Sequence, residues 1–331
     1  MKKLKIGQIG IGHNHASAKI RTAKYFPELF DIVGIAEPDE KWIAERGKLK
    51  EYEGVPFVTE EQLLEECDAI FVETAVPLLD ETAQRCIDAG KHIHLDKPAG
   101  ENYAEFEKLM NDAKAKGLIV QLGYMYRYNP AVLKTLELVR SGELGEITSM
   151  NIEMSTYHPD EYRKWLAQYK GGSMYIFGSH LIDLAMLVMG KAPDDVYSFN
   201  KQTGKNGVYS KDNCFAVLDF GSALAKITNN STEINGWGRR QLVVCGTKGT
   251  VEIKPLEVPT IMSYVNEKST PGAYTDNTSR VDIESVPDSH RYDTMLLDFY
   301  KMCVGEAENP YSYDYELSLH KVILKACDID I

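Results

Sequence analysis

The sequence predicts an α/β protein in two parts. The first is a doubly wound parallel sheet; the second is an α/β domain with a large, open, mainly antiparallel sheet. Three observations carry this prediction. Strand-like and helix-like segments alternate from Leu4 to Gly123, the rhythm of repeated βαβ units. A Gly-x-Gly turn, Gly10-Ile11-Gly12, joins the first strand to the first helix. After Gly123 the pattern changes to long runs of alternating polar and apolar residues, the period of a sheet with one covered face.

In the first part the apolar runs Leu4–Ile9, Phe30–Ala36, Ala69–Thr74, His92–Leu95 and Ile119–Gly123 read as strands, with a short strand-like piece at Phe57–Val58. Between them Ala16–Phe26, Glu40–Leu49, Glu60–Glu66, Glu81–Ala89 and Tyr103–Lys116 have helical spacing, and Gly90 and Gly117 supply helix stops. In the second part a helix is expected at Ala131–Ser141 and an apolar one at Ser179–Met189, ended by Gly190. Strands are expected at Ile147–Thr156, Val196–Thr203, Cys214–Phe220, Ala223–Asn230, Leu242–Cys245 and Thr250–Ile253. Pro255–Asp288 is polar and broken by Pro and Gly, so it reads as loops with one or two edge strands. Helices near Arg291–Val304 and Tyr315–Cys327 finish the chain. The expected division is residues 1–123 and 124–313, with a C-terminal helix of about 314–331 able to pack back on the first domain.

A chain of 331 residues exceeds one ordinary core. With 44% hydrophobic and 26% charged residues it has the composition of a soluble globular protein. A formal net charge of −12 argues against nucleic acid as the main partner. The six cysteines form no Cys-x-x-Cys pair and show no zinc-ligand spacing, so buried thiols in a reducing cytoplasm are expected. The opening Met1-Lys-Lys-Leu-Lys could mimic a signal peptide, but Gly7, Gly10 and Gly12 interrupt its apolar stretch and a first strand is the better reading. No run reaches the length of a membrane span.

Lys91–Pro98 reads Lys-His-Ile-His-Leu-Asp-Lys-Pro. Ile93 and Leu95 alternate as strand residues do, so His92, His94 and Asp96 should face the other way. Pro98 ends the strand, which puts Lys97 at a strand tip where open α/β sheets bind ligands. A lysine there needs an anion, a cofactor or a substrate to meet. Gly10, Ile11 and Gly12 provide the tight turn that lets a backbone approach a pyrophosphate at a helix N-terminus. The fingerprint's third glycine is replaced by His15. His13, Asn14 and His15 would contact or flank the cofactor, as would Thr74 and Asp96 at later strand ends; no metal is expected. Glu37, ending the second strand, can accept from both hydroxyls of an adenosine ribose and repel a 2′-phosphate, which favours NAD over NADP, or it is a solvated turn residue.

With these segments in view the chain resembles the Gfo/Idh/MocA family of NAD(P)-dependent oxidoreductases along essentially its full length. The resemblance rests on Gly10-Ile-Gly12, on Ala89-Gly-Lys-His-Ile-His-Leu-Asp96-Lys97-Pro98, where Asp96 stands for the Glu of a Glu-Lys-Pro signature, and on Gly123-Tyr-Met-Tyr-Arg127-Tyr-Asn129-Pro130. It continues through Gly142-Glu-Leu-Gly-Glu-Ile147, Gly171-Gly172, Gly178-Ser-His180-Leu-Ile-Asp183 and Gly246-Thr-Lys-Gly-Thr250. It implies a Rossmann domain followed by an α/β domain whose open sheet forms an oligomer interface, here a homodimer or homotetramer. It also implies Lys97 as the catalytic lysine and His180 as the active-site histidine. A histidine can take a hydroxyl proton near neutral pH, and an ammonium can stabilise an alkoxide. Asp183 shares a helix face with His180 and could orient it or pair elsewhere. One departure stands out: the aspartate common four residues before the histidine is Ile176 here.

On the substrate side, Tyr124 and Arg127 follow the last strand of the first part. Arg127 could bind a carboxylate or sugar hydroxyls, or make an ion pair between domains. Tyr157 and Tyr175 could supply polar groups. Nineteen tyrosines suit sugar faces only weakly, since most tyrosines are core or interface residues. The first reading is an NAD-dependent dehydrogenase or reductase acting on a small sugar, polyol or sugar derivative. The others are a lyase or glycosidase that uses NAD for transient oxidation, and an NAD-binding regulator without catalysis.

Overall fold

The computed structural model describes residues 2–269 and 277–331, so part of the Pro255–Asp288 loop expectation lies outside the described residues. The chain divides into two compact units, residues 1–125 with 289–317 and residues 126–288 with 318–331.

The first unit alternates strand and helix through β1 (Leu4–Ile9), α1 (Ala16–Tyr25), β2 (Phe30–Ala36), α2 (Glu40–Arg46), α3 (Glu60–Glu66), β3 (Ala69–Val72), α4 (Leu79–Asp88), β4 (His92–Leu95), α5 (Tyr103–Lys116) and β5 (Val120–Leu122). The strands are all parallel and ordered β2-β1-β3-β4-β5. The chain therefore turns one way after β1 and the other way after β2, and the carboxyl ends of β1 and β3 flank the switch point where such sheets take ligands. Local chemistry fixes the helix ends. Asp39 and Thr59 accept backbone N–H bonds at the starts of α2 and α3, and Gly117 closes α5 at φ 64°.

One correction concerns this unit. The helix Asp293–Cys303, expected within the second domain, belongs to the first: Leu296, Phe299 and Tyr300 share a core with Leu4, Phe30 and Phe71. The rings of Phe30 and Tyr300 meet edge to face at 5.9 Å. β4 is buried on both faces: His94 and Asp96 are as buried as Ile93 and Leu95. In a central parallel strand both faces are interior, and the second face is filled here by ionic groups rather than hydrocarbon.

The second unit holds α6 (Pro130–Arg140), β6 (Ile147–Glu153), α7 (Asp160–Leu166), a π-helical turn at Met174–Gly178, α8 (Ser179–Met189), and the strands β7 (Asp195–Lys201), β8 (Asn213–Asp219), β9 (Leu224–Asn230), β10 (Gln241–Gly246), β11 (Gly249–Ile253), β12 (Met262–Asn266) and β13 (Ser279–Val281). Its sheet runs β13-β12-β11-β10-β6-β9-β8-β7. Within this sheet β6 with β9 is the one parallel pair among the described residues. Cys214, Ala216, Leu218, Ala225, Ile227 and Val244 point to the covered face and are fully buried. Their alternates do not, and Tyr197 and Phe199 on edge strand β7 are more than half exposed. α7 and the π turn escaped the sequence reading: both lie in aromatic, Gly-containing stretches without clear period.

The last helix, Tyr313–Ala326, was read as able to pack back on the first domain. Only its start groups there, where the Tyr313 hydroxyl donates to the Leu118 carbonyl; residues from Ser318 onward belong to the second unit, where Asn200 donates to the Ala326 carbonyl.

Candidate functional site

The loop between β1 and α1 passes close to the loop that follows β3. A Cβ on Gly10, whose φ is 93°, would stand 2.4 Å from the Thr74 backbone nitrogen, and one on Gly12 would stand 2.9 Å from both the Ala75 nitrogen and Trp42 Nε1. The Gly-x-Gly is thus demanded by backbone approach as well as by turn geometry. The loop N–H groups divide in two. Those of Gly10, Ile11, His13 and His15 donate within the protein, to the Ala36 carbonyl, a Glu37 carboxylate oxygen, the Glu73 carbonyl and His13 Nδ1 respectively. Those of Gly12 and Asn14 make no such bond among the described residues and are available to an anion. This donor set fits a dinucleotide diphosphate.

His13 and His15 turn inward. His15 Nδ1 lies 3.1 Å from Asp96 Oδ1, and His13 Nδ1 lies 3.4 Å from Asp96 Oδ2. Both imidazoles, expected to contact or flank the cofactor, meet a carboxylate with no exposed surface, while His15 keeps 27% of its side chain exposed. Lys19, on the inner face of α1, completes the cluster. Its ammonium is 2.6 Å from Asp96 Oδ2 and 3.1 Å from Glu73 Oε1, and 4.7 Å from the Tyr292 ring centre. His13, His15 and Asp96, and likewise Glu73, His94 and Asp96, bring donor atoms within 4.8 Å of one another, but the Lys19 ammonium already stands between the two carboxylates.

Burial dominates the ionisation of this cluster. It opposes a charge on Asp96, yet His13, Lys19 and His15 hold that carboxyl well below its usual range. Glu73 is pushed well above its range by burial and by the Asp96 charge. Burial lowers His13 and His15, against the pull of Asp96. His94, which meets the Gln121 side chain at 2.9 Å, is lowered to about 3 by burial and then by the Lys19 charge. A histidine is protonated near 6.5 when unfolded, so between pH 6.5 and 3 the unfolded chain binds more protons at this residue. His94 therefore contributes stability that is full above pH 6.5 and lost as pH falls toward 3. Unfolding in urea at pH 4.5 and 7.5 should show a loss of about 2–3 kcal/mol from this residue, and His94→Gln should shrink the drop. An identical drop in both proteins would count against it.

Lys97 follows β4 directly and is 4% exposed. Its backbone N–H donates to Asp96 Oδ1 at 2.7 Å, and its peptide bond to Pro98 is cis. Asp80, at the start of α4, braces the same turn by accepting from the Gly100 N–H at 2.9 Å; burial lifts its carboxyl to about 6. Thr74 is 5% exposed, and its backbone lies beside Gly10. Glu37 is partly exposed, and its two carboxylate oxygens accept from Ile11 N and Asp39 N at 2.7 and 2.9 Å. Tyr124, expected toward substrate, is 2% exposed.

In the second unit, His180 is the second residue of α8, behind the π turn that holds Ile176. Its ring stands edge-on to Tyr126 at 5.0 Å. Single-turn π segments often mark functional sites. Arg127 and Asp183, each read as a substrate-side candidate or a partner in an ion pair, meet each other. Arg127 Nη2 and Nε donate to Asp183 at 2.8 and 2.9 Å, and both residues are 1% exposed. The pair is a charge-assisted, bidentate contact within the second unit that joins Arg127 to α8. Tyr175 is likewise interior, packed on Tyr169. Tyr157 remains exposed, with Lys205 Nζ 3.2 Å from its hydroxyl. Beside it His158, Tyr162 and Phe177 stack at 4.1 and 5.2 Å. Burial, helped by Arg240, lowers His158 to about 4 and keeps it a neutral aromatic plate at pH 7.

Sequence reasoning missed Lys19, Glu73, Trp42 and Arg46. Lys19 had a signal: Ala16, Lys19, Ile20 and Ala23 are the buried stripe of α1, so a lysine sits where the helical period puts a core residue. Glu73 also ends an apolar strand run. Trp42 and Arg46 lie on a helix with no buried residue and carry no such mark.

Two family models match the chain. One, described as the oxidoreductase family with an NAD-binding Rossmann fold, covers residues 4–124; the other, the GFO/IDH/MocA C-terminal domain, covers residues 132–252. Among curated proteins the chain is 27% identical over 167 residues to scyllo-inositol 2-dehydrogenase (NADP(+)) of Bacillus subtilis, which is 50% of this chain and 46% of that protein. It is 26% identical over 190 residues to myo-inositol 2-dehydrogenase of Thermotoga maritima, 56% and 55% of the two chains. The matches thus span about half the length of these relatives. Among solved structures, aldose-aldose oxidoreductase from Caulobacter crescentus superposes with a TM-score of 0.82 at 20% identity over 99% of this chain and 98% of that one, a likeness of fold. With an N-terminal sheet built for a dinucleotide, a C-terminal sheet of the matching domain, and both family models satisfied in order, the chain belongs to the GFO/IDH/MocA family of NAD-binding oxidoreductases.

Proposed function

We propose that this protein is a dehydrogenase or reductase that moves a hydride between a nicotinamide dinucleotide and a secondary alcohol or ketone of a sugar, polyol or sugar derivative. The observation that carries the reading is the double use of Asp96. One carboxylate receives the Lys97 backbone N–H and holds His15 of the nucleotide loop, so the strand tip bearing the lysine is built together with the cofactor loop.

The dinucleotide supplies the hydride acceptor or donor. Gly12 N and Asn14 N face its diphosphate, and Glu37 receives the adenosine ribose hydroxyls. Lys97 stabilises negative charge developing on the substrate oxygen, and His180 exchanges the hydroxyl proton. Glu37 supports NAD over NADP because a carboxylate repels a 2′-phosphate. Glu37→Ala should erode that preference; an unaltered ratio of kcat/KM values for NAD and NADP would make Glu37 a loop brace only. The inositol dehydrogenases among the relatives support a polyol-like substrate. The half-exposed aromatic row of β7 supports self-association through the open sheet face as a dimer or tetramer, and the chemistry suits a cytoplasmic enzyme.

One observation favours a second reading. Ile176, buried in the π turn, stands where many family dehydrogenases carry an aspartate. Transient oxidation followed by elimination, with the dinucleotide restored each cycle, is compatible with that loss. The test is absorbance at 340 nm with NAD or NADP and a panel of inositols, sugars and sugar acids. Stoichiometric reduced nucleotide supports the dehydrogenase; substrate loss without it supports the lyase.

A further inference from the structure

The strongest feature left without a role is Arg46, the last residue of α2. Its Nη1 lies 3.2, 2.9 and 2.9 Å from the carbonyl oxygens of Ile11, Gly12 and His13, and its Nη2 lies 3.0 Å from Asn14 Oδ1. Its guanidinium also stacks at 4.7 Å over the ring of Trp42, whose Nε1 closes on Gly12. One side chain thus collects three successive carbonyls of the turn expected to meet a diphosphate.

Peptide geometry gives this a consequence. In a trans peptide the N–H points opposite to the C=O. Turning the carbonyls of Ile11, Gly12 and His13 toward Arg46 therefore turns the N–H groups of Gly12, His13 and Asn14 away from it. The His13 N–H is used by the Glu73 carbonyl. Those of Gly12 and Asn14 remain, on the face away from the guanidinium, as a concave pair of donors that suits an anion. Glu37 works from the opposite polarity by accepting from Ile11 N. The β2–α2 segment thereby holds the loop with one acid and one base: the acid takes an N–H, and the base takes the carbonyls.

We infer that Arg46 is a positioning residue for the cofactor, fixing the peptides at residues 11–14 so that the Gly12 and Asn14 N–H groups are aimed at the diphosphate before it arrives. The inference rests on the dinucleotide reading above and deepens it. Arg46 acts here through the loop backbone; it does not itself pair with a phosphate. Preorganisation of this kind shows in affinity rather than in the chemical step.

The experiment compares wild-type protein with Arg46→Ala and Arg46→Lys. Hydrogen exchange of the peptide spanning residues 10–16 is measured without nucleotide, and NADH binding is measured by calorimetry between 50 mM and 500 mM salt. Arg46→Ala should speed exchange in that peptide tenfold or more. It should weaken NADH at least tenfold while leaving kcat at saturating cofactor within about twofold, and the salt dependence of binding should stay that of wild type. Arg46→Lys, which keeps a cation beside the carbonyls, should recover part of the affinity. Unchanged exchange overturns the inference whatever NADH does. Faster exchange with unchanged NADH affinity also overturns it, and so does a salt dependence that flattens in Arg46→Ala, which would make Arg46 a direct phosphate contact. A wild-type protein that binds no NADH or NADPH, with exchange still accelerated in Arg46→Ala, would remove the cofactor reading and leave a loop brace.

Discussion

Lys97→Met should lower kcat by about 10²–10³-fold, the usual cost of deleting one electrostatic donor from a reacting oxygen. It should leave the NAD dissociation constant within about tenfold, or roughly 1.4 kcal/mol. The split follows from the lysine's position. Its backbone is fixed by Asp96, and that bond survives any side-chain change. The nucleotide loop is held by bonds from Glu37, Arg46 and Asp96, which are made by side chains other than that of Lys97. Steady-state kinetics at saturating cofactor, with calorimetric binding of NAD, separate the two quantities. Equal losses in turnover and cofactor binding would place Lys97 in the binding machinery instead, and undiminished turnover would remove it from the reaction.

The second large effect is on stability. Lys19→Met should destabilise the protein by roughly 3–5 kcal/mol, because it removes the ammonium from a fully buried Asp96 and leaves that charge with neutral imidazoles. For a unit of this size the melting temperature should fall on the order of 10 °C. Adding Asp96→Asn should restore more than half of the loss, since the stranded charge disappears with it. Calorimetric melting of the single and double variants checks this. A single variant within about 1 kcal/mol of wild type, or a double variant less stable than the single, would show that the cluster is not organised around the Lys19–Asp96 pair.

What the residues revealed before the structure was known divides along physical lines. β1, β2 and β4, and the helices α3, α5 and α8, appear with the bounds read from the sequence, because each has a strong hydrophobic period between distinct stop residues. α7 and the π turn carry no such period, being dense in aromatics that serve as readily in loops. The Gly10-Ile11-Gly12 turn and Lys97 at its strand tip were legible because each follows from backbone rules. The fates of Arg127, Asp183, His13 and His15 were not. A charged side chain near a site reads the same whether it meets a ligand or another buried charge, and only the partner across 56 or 81 residues of chain decides it. The domain boundary failed for a similar reason: the helix Asp293–Cys303 shows an apolar face, and nothing in that face says which sheet it will cover.

The most direct test of the central claim follows the hydrogen itself. Wild-type protein is incubated with NAD and inositols or sugars deuterated at their carbinol carbons, and the nucleotide is recovered for mass analysis and proton NMR. The account predicts reduced nucleotide bearing one deuterium at C4 of the nicotinamide, formed in step with a ketone product and about 10²–10³-fold more slowly with Lys97→Met. Substrate consumed by loss of water while the bulk nucleotide stays oxidised and unlabelled would contradict it.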